Sequence, residues 1–392
     1  MTTEELIEIV RQFRIEGSVT AVEPLGKGLI NDTFLVKTLV EDASTDSKPT
    51  NKPDYVLQRI NHQIFTNVEM LQHNIEVVTN HLRRKLQAEG ISDVDRRVLR
   101  FIPTNTGKTY YICPPDSEEA LANPFSEKSE KNRHDCSYWR MSIYIADTLT
   151  LEEITPQSSY DCGLAFGHFQ QQLIDLNEPL GETIPDFHNM ELRLQQLHQA
   201  VANNMAGRVK EVSKELELIE AHADEMCLAE RLYRQGLLPK RVCHCDTKVN
   251  NMLFDRNGNV LCIIDLDTVM PAYIFSDYGD FLRTAANSQP EDSPELDSIK
   301  FRWDIFEAFT QGYLESTASF LTPIEREHLP FAVCLFPMMQ AVRFLTDYLN
   351  GDTYYKIKYP EHNLVRTRNQ LRFFQEVEAN REKMAKFIAL IS

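Results

Sequence analysis

Val242-Cys243-His244-Cys245-Asp246-Thr247-Lys248-Val249-Asn250-Asn251-Met252-Leu253-Phe254-Asp255 opens the most informative part of this chain, and Val260-Leu261-Cys262-Ile263-Ile264-Asp265-Leu266-Asp267 closes it. Between them lies Asp255-Arg256-Asn257-Gly258-Asn259, whose Asn-Gly pair favours the positive φ of a tight hairpin turn. A polar loop therefore runs into a short strand, turns back as an apolar strand, and ends in two acids.

The polar groups of this hairpin form a chemical set. Transfer of a phosphoryl group to a hydroxyl needs a carboxylate to accept the proton, oxygen ligands for Mg²⁺, and fixed cations where charge develops. His244-x-Asp246, with Asn251 five residues on, has the spacing H-x-D-x-x-x-x-N of a kinase catalytic loop. Asp246 takes the place of the base, and Asn251 can turn its amide oxygen towards a metal. Asp265, ending the next strand, is placed to hold the cation that bridges nucleotide phosphates, with Asp267 assisting. Lys248 can reach the transferring phosphoryl group. A surface hairpin with scattered acids would not combine this spacing with the turn and the I-I-D-x-D ending.

The hairpin with Asp265-Leu266-Asp267 is similar to the aminoglycoside phosphotransferase and choline kinase superfamily. More particularly, H-C-D-T-K-V-N-N-M-L-F-D, I-I-D-L-D-T-V-M-P and Asp277-Tyr278-Gly279-Asp280-Phe281-Leu282-Arg283 resemble the N-acetylhexosamine 1-kinases. The resemblance implies an α+β, two-lobed protein-kinase-like fold, with a β-rich N-lobe over residues 1–143 and a mainly helical C-lobe over 144–392. It also implies ATP as donor, Mg²⁺ as cofactor and, as acceptor, the anomeric hydroxyl of a free N-acetylated amino sugar.

A length of 392 residues can bury a large core and suits two lobes. The net charge of −17 argues against nucleic acid or an anionic membrane as the main partner, because phosphate neutralisation needs clustered Lys and Arg. Eight cysteines are scattered without a C-x-x-C pair, which fits free thiols in a reducing compartment. The acidic N-terminus lacks the basic-then-apolar pattern of a signal peptide. No apolar run reaches the ~18 residues expected of a membrane span. A cytoplasmic location is the expectation.

Residues 3–14 predict an amphipathic helix behind a Thr cap, followed by a strand pair around Leu25-Gly26-Lys27-Gly28-Leu29-Ile30-Asn31-Asp32-Thr33. Gly26 and Gly28 let backbone pass close over phosphates, with Asn31 and Thr33 as side-chain donors. Tyr55–Asn61 reads as a strand, and Arg59 stands where V-A-I-K carries its Lys, three after the Val. Arginine there keeps the charge and can fork onto two oxygens. Its expected partner is Glu76, on a helix from Asn67 to Leu86 whose apolar stripe is Val68, Leu71, Ile75, Val78 and Leu82. Residues 97–114 read as strands around Asn105-Thr106-Gly107-Lys108-Thr109. The Gly-Lys-Thr there is no P-loop, because the required glycine position holds Ile102. The strand Tyr138–Ala146 should lead into a hinge that holds adenine near Tyr144 and Ile145.

Beyond the hinge the text is helical. Ile184-Pro185-Asp186-Phe187-His188 is similar to sugar-kinase text bordering the acceptor pocket, which implies acceptor roles for His188 and Arg193. Asp280, Arg283 and Arg343 are further candidates for the sugar hydroxyls. Each has a plain alternative: loop polar groups serve turns, Asp280 can brace the catalytic loop, and Arg343 can pair with Asp347 four residues on. Two rival functions remain open at this stage. One is a kinase of another acceptor, such as an aminoglycoside, choline or homoserine. The other is a pseudokinase binding module, should Arg59 not support catalysis.

Overall fold

The computed structural model describes residues 1–26, 30–39, 53–114, 136–151 and 153–391. They form two compact units. Unit 1 is Met1–Thr148 with Glu178–Ile184 and Cys262–Asp267; unit 2 is Leu149–Asn177, Pro185–Leu261 and Thr268–Ser392. A single cut at 143/144 is therefore too simple, because the chain returns twice to unit 1. Each return is held by side chains of that unit, Asn74 for the first and Asn31 with Arg140 for the second.

In unit 1, strands β1 (Ser18–Pro24), β2 (Asp32–Leu39), β3 (Tyr55–Ile60), β4 (Tyr111–Cys113) and β5 (Ser137–Ile143) form an antiparallel sheet of order β1-β2-β3-β5-β4. Side chains alternate between its faces. One face carries Val36, Leu57, Trp139 and Met141, which pack with Leu6, Ile9, Val10 and Phe13 at the N-terminus. The N-terminal helix Thr3–Val10 starts where expected, since Thr2 and Glu5 form a reciprocal cap. The opposite face carries a polar row, with Thr33 opposite Gln58 and Gln58 opposite Arg140. The helix Val68–Ala88 is capped by Asn67 and buries Val68, Leu71, Ile75, Val78 and Leu82, the stripe read from its spacing. On the same buried side Asn74 exchanges two hydrogen bonds with Gly181, at 2.7 and 3.1 Å.

The strands expected over 97–114 form in part. Among the described residues, β4 and the isolated bridges Phe101–Ser142 and Phe13–Thr104 are the pairing found there. The turn itself is present, with Gly107 N–H donating to the Thr104 carbonyl at 2.9 Å.

Unit 2 is mostly helical. Helices Pro156–Gln172 and Trp303–Thr317 cross with backbones almost touching. A Cβ on Gly163 would lie 2.2 Å from the Phe309 carbonyl oxygen, and one on Gly312 would lie 2.2 Å from that of Tyr160. Only glycine fits at either place. The helix Leu329–Leu349 corrects the expectation that no long apolar run exists: by length and composition it could cross a membrane. Its apolar window is 83% buried, however, which is the burial of a central core helix. The hairpin arms begin as read: strand β6 (Arg241–Cys243) pairs with β9 (Met270–Ala272), and β7 (Met252–Phe254) enters the Asp255–Asn259 turn towards β8 (Val260–Ile263). Asp255 closes that turn by accepting from the N–H groups of Asn257 and Asn259. All eight cysteines are free thiols.

Candidate active site

In unit 2 the loop after β6 places Asp246 on a rigid support. Cys245 has φ +63°, a left-handed conformation that residues with a Cβ rarely adopt. Asp277, on the helix Phe275–Ala285, supplies the reason. Its fully buried carboxylate accepts from His244 N–H at 2.9 Å, Cys245 N–H at 2.8 Å and Gln170 Nε2 at 2.8 Å. Tyr313 Oη donates to Gln170 Oε1 at 2.7 Å, and Thr247 Oγ1 donates to the Asp277 carbonyl at 2.7 Å. Burial raises the Asp277 pKa, while His244 and the three donors pull it back. Desolvation of a carboxylate costs several kcal/mol, and charge-assisted hydrogen bonds return about 1.5–3 kcal/mol each.

Asp246 is partly buried and held by its own loop. Asn251 Nδ2 donates to the Asp246 carbonyl at 2.8 Å and to its Oδ2 at 3.1 Å. With the amide nitrogen so used, the Asn251 oxygen faces away, as a metal ligand requires. Lys248 Nζ lies 2.7 Å from Asp246 Oδ1. Burial opposes the lysine charge, but Asp246 and Asp280 outweigh it and raise its pKa. The Lys248 side chain keeps 41% of its surface exposed, so solvent screens part of this.

The residues expected at the acceptor differ in what holds them. Asp280 pairs with Arg283 at 2.9 Å, and Arg283 also binds Glu291. Bracing of the catalytic loop falls to Asp277, not to Asp280. Arg193 spends its guanidinium on the Asp186 and Phe187 carbonyls and on Gln196, which fixes the loop before it. Burial lowers its pKa to about 10, helped by the Arg343 charge. Arg343 does not pair with Asp347. It lies over the Phe187 ring at 5.0 Å and the Tyr355 ring at 5.7 Å, and donates to Gln340. Asp347 instead accepts from the N–H groups of Thr353, Tyr354 and Tyr355, which holds that loop against Arg343.

His188 stacks on Phe187 at 4.3 Å and meets Phe336 edge-on at 4.9 Å. The residue is partly exposed, yet its ring is enclosed and Nδ1 is buried without a hydrogen-bond partner. Burial, then the charges of Arg343 and Arg193, hold its pKa well below the ordinary value, with Asp246 opposing. The folded ring therefore stays neutral, whereas an unfolded histidine takes a proton near ~6.5. Stability should fall as pH drops below that value. In urea melts at pH 5.5 and 7.5, His188→Gln should narrow the difference; an unchanged difference would show that His188 does not carry it. His362, also lowered chiefly by burial, accounts for a residual slope.

In unit 1, Asp265 follows the β8 strand with φ +59° and an exposed side chain. Aspartate tolerates that conformation better than most residues. Among the described residues no cluster of three His, Cys, Asp or Glu could hold a metal. Mg²⁺ does not need one, since it keeps several waters and takes one or two carboxylates beside phosphate oxygens. Asp265 fits that demand and Asp267 does not. The Asp267 side chain is 4% exposed, contacts Arg140 Nη1 at 2.5 Å, and accepts from Asn31 Nδ2 at 2.6 Å. Its expected metal role is corrected on this ground.

The Arg59 expectation also changes. Strand alternation puts Arg59 on the face of Tyr55 and Leu57, where it is exposed and 3.9 Å from Asp32. Glu76 is exposed on its helix, and the ion pair recorded for Arg59 among the described residues is to Asp32. The buried cation of this sheet is Arg140, which sequence reading did not single out. An Arg within the alternating strand Tyr138-Trp139-Arg140-Met141-Ser142 was the available signal. Thr33 accepts from Gln58 Nε2 at 3.3 Å, on the polar row. Gly26 has φ +70°, as a tight turn needs; Gly28 lies outside the described residues. At the expected hinge the Tyr144 N–H is spent on the Asp54 carbonyl at 2.8 Å, and the Ile145 side chain is buried.

Residues 130–314 match the model of the phosphotransferase enzyme family. The match spans just under half of the chain. The protein is a phosphotransferase, and the matched stretch holds Asp246, Lys248, Asn251, Asp265 and Asp277. Solved structures share the fold along nearly the whole chain. A microcompartment-associated aminopropanol kinase superposes with TM-score 0.56 and 14% identity, covering 97% of this chain and 98% of its own. A spectinomycin phosphotransferase in complex with ADP and its antibiotic gives TM-score 0.54 and 12% identity, covering 96% and 99%. A choline kinase from Cryptosporidium parvum gives 0.53 and 14%, covering 97% and 96%. At these identities the likeness establishes the kinase-like α+β fold of the phosphotransferase.

Proposed function

We propose that this phosphotransferase uses Mg·ATP to phosphorylate a sugar hydroxyl, the C1 hydroxyl of an N-acetylhexosamine. The observation that carries the reading is Asp246, an acid clamped by Asn251 and Lys248 on a loop that Asp277 holds in a strained shape. In this reading Asp246 orients the acceptor hydroxyl and takes its proton. Lys248 offsets charge on the transferring group once substrate draws it from Asp246. Asp265 and the Asn251 oxygen are assigned to Mg²⁺, which supplies charge neutralisation at the nucleotide phosphates when bound. Gly26, Asn31 and Thr33 are assigned to the nucleotide side.

The sugar assignment is supported by the charges near His188. Its neighbours include Arg193, Arg343 and Arg283, whereas an ammonium acceptor calls for acids. A neutral imidazole with an unused Nδ1, beside an Arg with aromatic faces on two sides, suits an amide with one polar and one methyl end. The neighbours named above are kinases of small acceptors, which supports a small-molecule acceptor and not a sugar in particular.

The test is ADP release against a panel, with product position read by phosphorus NMR. N-acetylglucosamine or N-acetylgalactosamine should exceed glucose and galactose in kcat/KM by about tenfold or more, because an unpaired buried donor penalises the analogue. Choline and kanamycin should give background rates. The phosphate should couple to the anomeric proton. Phosphate on C6, or turnover only with amino alcohols or aminoglycosides, would overturn the acceptor while leaving the phosphotransferase in place.

A further inference from the structure

Among the described residues of unit 1, Arg140 is a buried cation whose partners reach the residues assigned above to the nucleotide and its metal. Arg140 is 2% exposed. Its Nε donates to Gln58 Oε1 at 3.0 Å, and Gln58 Nε2 donates in turn to Thr33. Its Nη1 lies 2.5 Å from Asp267 Oδ1 in an ion contact that is off the N–H direction. Asp267 Oδ2 accepts from Asn31 Nδ2 at 2.6 Å, and Asn31 Oδ1 accepts from the Asn61 N–H at 2.9 Å. One buried charge thus ties β5, the residue before β2, and the segment two residues beyond Asp265.

We propose that Arg140 is a positioning residue for Mg·nucleotide, acting through Asp267. It does so in two ways. Arg140 neutralises Asp267, so the second acid of I-I-D-L-D anchors the segment instead of joining the metal ligands. The anchored segment then holds Asp265 in its left-handed conformation and holds Asn31 at the start of β2. An unpaired Asp267 in the same buried place would be an uncompensated charge, free to seek the metal. This rests on the reading of Asp265 as the metal aspartate given above. It goes beyond that reading by assigning opposite duties to two acids one residue apart, and by naming a cation that no kinase spacing marks.

The test uses the full chain and calorimetry of ADP and ATP, each with Mg²⁺ and with EDTA, alongside thermal melts. Arg140→Met should weaken Mg·ATP binding by about tenfold or more and lower the melting temperature, since it strands a buried carboxylate. Binding of ATP in EDTA should change by less than about threefold, because the loss runs through the metal. Arg140→Met combined with Asp267→Asn removes both charges and should recover most of the melting temperature without recovering Mg·ATP affinity. Arg140→Lys should fall between wild type and Arg140→Met. Asp267→Asn alone should keep a measurable Mg²⁺ enhancement of ATP binding, which Asp265→Ala should abolish.

If the double variant regains Mg·ATP affinity together with stability, the pair is only structural and the proposal fails. If Asp267→Asn removes the Mg²⁺ enhancement as completely as Asp265→Ala, Asp267 is a ligand and the proposal fails. Should wild type itself show no Mg²⁺ enhancement, the metal reading fails first and takes this proposal with it. That result differs visibly from variants that match a responsive wild type.

Discussion

Asp246→Asn should lower kcat by about 10²-fold or more, with affinity for nucleotide changed by less than about threefold. The amide is nearly isosteric, so the loop keeps its shape: Asn251 still finds the 246 carbonyl at its present 2.8 Å. What disappears is the group that can accept a proton from the acceptor hydroxyl. The partnership with Lys248 at 2.7 Å is lost as well, which frees the ammonium. A rise in acceptor KM with unchanged kcat would mean that Asp246 only binds the acceptor. Near-wild-type turnover would remove it from the chemistry. Either result is read from initial rates across an acceptor titration, with nucleotide affinity measured separately by calorimetry.

Asp277→Ala is expected to cost about 3–5 kcal/mol of stability and to leave little activity. Two backbone N–H groups, those of His244 and Cys245, and the Gln170 amide all donate to this one carboxylate. Alanine leaves all three donors buried without an acceptor. It also releases the carboxylate that accepts from Cys245 at φ +63°, so Asp246 loses its aim. Asp277→Asn should be costly too. The two N–H groups use different oxygens, Oδ2 and Oδ1, and an amide can accept at only one end. Urea unfolding measures the first effect and kcat the second. A loss below about 1 kcal/mol for Asp277→Ala would show that the loop is held by other contacts, Thr268 Oγ1 on the His244 carbonyl being the first to consider.

Between these two aspartates runs the line dividing what could be read from what could not. Asp246 and Asn251 were legible because their partnership is local. Five residues of loop bring the Asn251 amide onto Asp246, and no distant element is needed. Asp265 was legible for the same reason, as the acid that ends a hairpin strand. The helix Val68–Ala88, its Asn67 cap and its buried stripe followed from spacing, because a helix sorts its side chains with a period that sequence preserves.

Asp277 and Asp280 could not be told apart that way. The helix Phe275–Ala285 is buried on nearly every side, so periodicity says nothing about which acid faces the loop. Only the packing of that helix decides that Asp277 receives His244 and Cys245 while Asp280 receives Arg283. Arg59 was misjudged by one residue of strand phase. Period two sends Gln58 to one face and Arg59 to the other, and the sequence does not say which face matters. Arg140 and Asp267, 127 residues apart by their numbers, meet only through the folded sheet and the return of Cys262–Asp267 to unit 1. The sequence by itself determined a local arrangement: an acid, an amide beside it and a second acid at a strand end, each set by short-range geometry. Tertiary structure alone decided which acids stay open to solvent and which are anchors, because burial and the partner across the fold set the surroundings of a carboxylate.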